Sequence, residues 1–107
     1  MAYFLLQGSY TAEAWKGLVN NPTDRIPVVR PVVEKLGGKL EHAWYAFGEY
    51  DLVSILQLPD NVSAAAFALA LAAGGGFKAH KTTPLLTIAE GIEAMKKAAT
   101  SGYLPPK

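Results

Sequence analysis

Residues 37–59 read GGKLEHAWYAFGEYDLVSILQLP, and no other part of the chain says as much about its topology. Gly37-Gly38 stops whatever precedes it. Lys39 to Phe47 then reads as a strand, with Leu40, His42, Trp44 and Ala46 on one face and Glu41, Ala43, Tyr45 and Phe47 on the other. Gly48-Glu49 is short enough for a tight hairpin connection. Tyr50 to Leu58 is the returning arm, with Leu52, Leu56 and Leu58 pointing one way and Val53 and Ile55 the other. Pro59 cannot donate to a ladder and ends the strand. A hairpin with helices on one side only should alternate apolar and polar residues. This one is apolar on both faces.

On the N-terminal side, Tyr3 to Ser9 reads as a first strand, rich in aromatics and leucine. Thr11 to Val19 offers one or two helical turns behind a capping threonine, and Asn20-Asn21-Pro22 breaks them. Thr23 to Leu36 is the next helix, with Ile26, Val29, Val33 and Leu36 on one stripe. Pro27 is tolerable near its start, whereas Pro31 removes a donor and should kink it. On the C-terminal side, Pro59-Asp60-Asn61 caps a helix over Val62 to Ala73 that is apolar nearly all round. Gly74-Gly75-Gly76 ends it. Phe77 to Thr83 is a fourth strand whose Lys78, His80 and Lys81 suit an edge. Thr87 with Glu90 forms a capping-box pattern that opens a last helix. Its expected buried stripe is Ile88, Ile92, Met95 and Ala99, and Glu93 and Lys97 pair on its wet side. The order is β-α-β-β-α-β plus a terminal helix. That is an α+β, ferredoxin-like arrangement with an antiparallel sheet and helices on one face. Residues 1–107 form a single domain, with its core over residues 2–90 and a C-terminal helix and tail over 87–107.

Composition narrows the function. A chain of 107 residues, half of them hydrophobic and 18% charged, supports one core and is too apolar for a disordered tail. A net charge of +1 gives no electrostatic footprint for nucleic acid or an anionic membrane. With no cysteine there is no disulfide, thiol nucleophile or thiolate metal site. The apolar run over 62–73 falls short of the about 20 residues that span a bilayer. The N-terminus lacks a basic, signal-like region, so a cytoplasmic protein is expected.

Two helices in this topology cannot cover both faces of one sheet. Phe4 and Leu6 stand against Tyr3 and Leu5, and the hairpin repeats the pattern. Each large apolar side chain left wet forgoes about 1.5–3 kcal/mol, and together they make a patch that monomers rarely expose. The expected partner is a second copy, in a homodimer or higher oligomer assembled through the sheet face.

Gly48-Glu49-Tyr50-Asp51 resembles the Gly-x-Tyr-Asp signature of the GYD domain family. Leu36-Gly37-Gly38-Lys39 before it, Asp51-Leu52-Val53 at the next strand, and the Ala-rich helix Ala64 to Ala73 with its glycine turn resemble the family too. The similarity covers roughly residues 2–90. It implies a ferredoxin-like, dimeric α+β barrel. Relatives of that fold include cofactor-free monooxygenases, isomerases, haem enzymes and ligand-sensing regulators, so fold alone does not give function.

The usual chemical signatures are missing: no Gly-x-Ser-x-Gly, no His-Glu-x-x-His, and no P-loop lysine after Gly74-Gly75-Gly76. The candidate ligand-binding residues are His42, Trp44, Tyr50 and Asp51. An Asp among apolar neighbours needs partners. Asp51 either caps its turn, with Tyr50 packed as a lid, or supplies a polar spot in an apolar pocket. In the second case Asp51 or His42 is a general base, and Tyr50 or Trp44 shapes an aromatic site. An inter-subunit pair of His42 with His80 is a poor metal site, because two histidines alone are too few ligands. Arg25, near a helix start, is either a solvated charge or an anion contact. No cofactor is expected. The expected function is an oligomer that binds a small organic ligand in an apolar pocket. The alternatives are a cofactor-free monooxygenase or isomerase, and a structural assembly module.

Overall fold

The computed structural model describes residues 1–106. Its elements are β1 (Ala2–Tyr10), α1 (Ala12–Asn20), α2 (Ile26–Lys35), β2 (Lys39–Tyr45), β3 (Leu52–Leu58), α3 (Asn61–Gly74), β4 (Phe77–Leu85) and α4 (Ile88–Ala99). Local chemistry explains most boundaries. Thr11 Oγ1 accepts the Ala14 N–H and starts α1, and Asp60 Oδ1 accepts the Ser63 N–H and starts α3. At the end of α2, Gly37 adopts φ +86 and donates to the Glu34 carbonyl, while Gly38 donates to the Val33 carbonyl. Together these satisfy the last carbonyls in a Schellman turn. Gly75, at φ +73, ends α3 in the same left-handed conformation. α2 runs through Pro31 as one helix of 10 residues.

The four strands form one antiparallel sheet in the order β2-β3-β1-β4. α2 and α3 cover one face. Phe4, Leu6, Leu40, Leu56 and Leu58 from the sheet meet Val33 from α2 and Ala64 and Phe67 from α3, all buried. Along β1 and β3 burial alternates with period two, as pleating requires. Polarity does not alternate. Tyr3, Leu5, Val53 and Ile55 occupy the other face, and none of them is buried.

Three expectations change. The connection between β2 and β3 spans residues 46–51 rather than a two-residue turn, because Ala46 N–H donates to the Asp51 carbonyl and closes a wider loop. A bulge between Leu40 and His42 shifts the register of β2 on β3. Ala43 and Tyr45, opposite Ser54 and Leu52, therefore share the helix-covered face with Leu40, while His42 and Trp44 turn to the open face. Glu41, the extra residue, reaches Gln57 Nε2 at 2.6 Å. Finally, the stripe of α4 is not buried: no residue of that helix is. Among the described residues nothing packs against its apolar side.

Candidate functional site

The strand order brings four chain ends to one rim of the sheet: the ends of β1 and β2 and the starts of β3 and β4. Each of the first two ends in an aromatic residue, Tyr10 and Tyr45, and β4 starts with Phe77. Trp15 joins them from α1. Tyr10 stacks on Phe77 with centroids 4.6 Å apart, meets Trp15 edge-on at 5.2 Å, and Trp15 lies 5.9 Å from Tyr45. A glycine makes this possible: a Cβ on Gly8 would stand 2.6 Å from the Phe77 ring.

Asp51 holds the row together. Its Oδ2 accepts the Trp15 Nε1–H at 2.9 Å and the Tyr10 backbone N–H at 3.0 Å. The backbone beside it grips the same strand end: Asp51 N–H donates to the Gly8 carbonyl at 2.8 Å, and Ser9 Oγ donates to the Glu49 carbonyl at 2.7 Å. The loop from Gly48 to Asp51 thus acts as a clasp on the end of β1. Asp51 does not cap its own turn; it ties three separate segments.

Below this row lies a cavity of about 480 Å3 between the sheet, α2 and α3. Its floor is apolar, with Leu6, Leu56 and Phe67 in the core and Val29 and Leu71 on the walls. Its rim carries Tyr10, Tyr45 and Phe77, together with Asp24 and Arg25 at the start of α2. Asp24 Oδ1 already accepts the Ile26 N–H. The Tyr10 phenol is held above its ordinary pKa, first by burial and then by the neighbouring Tyr45, with Arg25 pulling the other way and Asp51 adding to the rise. The rim therefore presents a neutral phenol, a guanidinium and the Asp24 carboxylate, one of whose oxygens accepts from Ile26, over an apolar hole.

Of the residues singled out from sequence, Trp44 borders this cavity, and Asp51 supports its rim at one remove through Trp15 and Tyr10. Tyr50 is half-buried in the loop and outside the cavity wall. His42 is exposed on the open face, where its ring stacks on Trp44 at 5.3 Å and borders a second, shallower groove with Tyr3, Ile55 and Leu85. His80 pairs with Gly8 on the helix-covered face, so the two histidines share neither an edge nor a face. Among the described residues no cluster of three or more His, Cys, Asp or Glu could hold a metal ion, and no helix is long and apolar enough to cross a membrane. Sequence reading missed Tyr10, Trp15, Tyr45 and Phe77. Their signal was positional: three of them sit at strand ends that this strand order gathers together.

Fold and site together define a small α+β protein with an apolar cavity open at one end of its sheet. The chain belongs to the GYD domain family, whose model matches residues 4–95. No curated protein and no solved structure matches it.

Proposed function

We propose that this protein binds a small organic molecule in the cavity beneath the aromatic row, and that it works as a homodimer joined through the open sheet face in a ferredoxin-like, dimeric barrel arrangement. The cavity carries the first part. At about 480 Å3 it lies within the range of small-molecule sites, and its lining sorts by chemistry. Apolar side chains at the bottom suit an aliphatic or aromatic body, while Arg25 and the Tyr10 hydroxyl at the mouth suit an anionic or hydrogen-bonding head. The Tyr10 phenol is neutral, as tyrosines are well below their ordinary pKa of about 10, and burial pushes that value higher, so it donates to such a head. Trp44 borders the cavity at its edge, with its ring turned to the open face against His42. Asp51 positions the rim, and Tyr50 lies in the loop that carries Asp51.

Binding is favoured over turnover by the disposition of the bases. His42 faces away from the cavity, Asp51 is engaged by two N–H donors, and Asp24 accepts from its own turn. The half-exposed apolar side chains of the open face support the second part of the proposal. Tyr3, Leu5, Val53 and Ile55 stand on the side without helices, beside Gln7, Gln57, Lys81 and Thr83, and a second copy is the simplest surface of matching character.

Calorimetric titration with aryl and medium-chain alkyl carboxylates, each beside its matched amide, tests the ligand class. The carboxylates are expected to bind about ten-fold tighter than the amides, as one charge-assisted contact implies. Arg25→Gln should erase that difference and leave amide binding unchanged. Equal binding of both series, or none of either, would contradict the proposal.

A further inference from the structure

Helix α4 is well formed and has no partner among the described residues of its chain. Its start is a closed capping box: Thr87 Oγ1 accepts the Glu90 N–H at 3.1 Å and Glu90 Oε1 accepts the Thr87 N–H at 2.9 Å. Lys96 and Lys97 complement the dipole at its end. Its apolar stripe nevertheless stands in water, with Ile88 82%, Ile92 47% and Met95 70% exposed. An isolated helix of 12 residues is marginal in water, and an amphipathic one is ordinarily held by what covers its stripe. The molecule's shape agrees. Its radius of gyration is 17.1 Å, against about 13 Å for a compact chain of this length, and its longest extent is 57 Å against 35 and 22 Å.

The same chain carries a surface of matching character. The groove bordered by Tyr3, His42, Ile55 and Leu85 has a volume of about 390 Å3 and lies on the open sheet face. Leu86 and Thr87 form its wall, so α4 departs from the rim of the groove without entering it. Glu41 borders the groove too, where its carboxylate accepts from Gln57 and lies 3.8 Å from the Lys39 ammonium.

We infer that α4 is an exchanged arm. The stripe Ile88-Ile92-Met95 of one chain lies in the groove of a second copy, which returns its own arm. This rests on the homodimer proposed above and says how it is closed. Area argues for the same occupant. The open face of four strands, of 7 to 9 residues each, offers a footprint of about 500 Å2 per subunit, from strands about 4.8 Å apart and about 3.4 Å per residue. That falls short of the about 800 Å2 per partner typical of a stable complex. A 12-residue helix is about 18 Å long and about 10 Å wide. The groove that receives the arm is already part of the sheet face, so each subunit gains the footprint of its own arm, about 180 Å2, which brings the total towards the typical value.

The absence of cysteine makes the test clean. Two full-length single-cysteine chains, His42→Cys and Met95→Cys, are mixed, refolded together and oxidised. A disulfide-linked heterodimer is expected, in excess of either homodimer. In parallel, the double variant Ile92→Gln/Met95→Gln is expected to raise the dimer dissociation constant about ten-fold or more, with an unchanged far-ultraviolet circular dichroism spectrum per chain. If the chain still dimerises but either readout fails, the exchanged arm is wrong and the dimer stands. If the full chain is monomeric at all concentrations, both are wrong.

Discussion

Asp51 shows how one side chain can organise a site without lining it. A single carboxylate oxygen accepts from a strand-end amide and an indole 36 residues away in sequence. Asp51→Ala leaves both donors half-buried without an acceptor, so a loss of about 1.5–3 kcal/mol in urea unfolding is expected. Asp51→Asn keeps a neutral acceptor oxygen and should lose less. An alanine variant as stable as the parent would show that the clasp holds nothing. Tyr10 gives a second residue-scale test. Its folded pKa is raised, mainly by burial, so the stability tied to its neutral phenol is complete below the ordinary value of about 10 and is lost as pH rises through the higher folded value. In a phenolate absorbance titration one of the five tyrosines should ionise above the ordinary range while the protein remains folded. Five tyrosines ionising together near the ordinary value would contradict this.

Between elements, glycines mark where backbones must touch. A Cβ on Gly38 would strike the carbonyl oxygen of Gln57 and stand 2.6 Å from Leu58 Cδ2. Gly38→Ala must therefore push β2 off β3, and a cost of about 1–3 kcal/mol is expected in the same unfolding assay. Gly17, inside α1, has nothing within 4 Å, so Gly17→Ala should stabilise by about 0.5–1 kcal/mol. Equal effects at the two positions would contradict the packing of β2 on β3. At this scale the sequence was most legible where a residue acts on its own neighbours. Thr11, Gly37, Asp60, Gly75 and the Thr87–Glu90 box each mark a boundary because caps and left-handed turns are local chemistry. The bulge at Glu41 was not legible. It answers to Gln57 on the neighbouring strand, and a strict two-residue period placed His42 and Trp44 on the same face as Leu40. The aromatic row was hidden for a related reason, since Tyr10, Tyr45 and Phe77 become neighbours only once the strand order is known. The stripe of α4 was read correctly as apolar, and its burial was wrongly assumed, because periodicity identifies a face but not what meets it.

The whole molecule carries one imbalance. The helix-covered side holds every buried core residue, yet Tyr3, Leu5, Val53 and Ile55 place similar side chains on the uncovered side. α3 adds to the imbalance, with Val62 and Leu69 exposed on its outer surface. A lone chain would leave these groups wet at about 1.5–3 kcal/mol each relative to burial, a large sum beside the 5–15 kcal/mol that separates typical folded and unfolded chains. Sedimentation equilibrium of the untagged protein at low micromolar concentration decides the matter. Two chains of 11.4 kDa, or a multiple of that pair, are expected. A single 11.4 kDa species that persists at every concentration would show that the uncovered sheet face is solvent-exposed by nature and carries no partner.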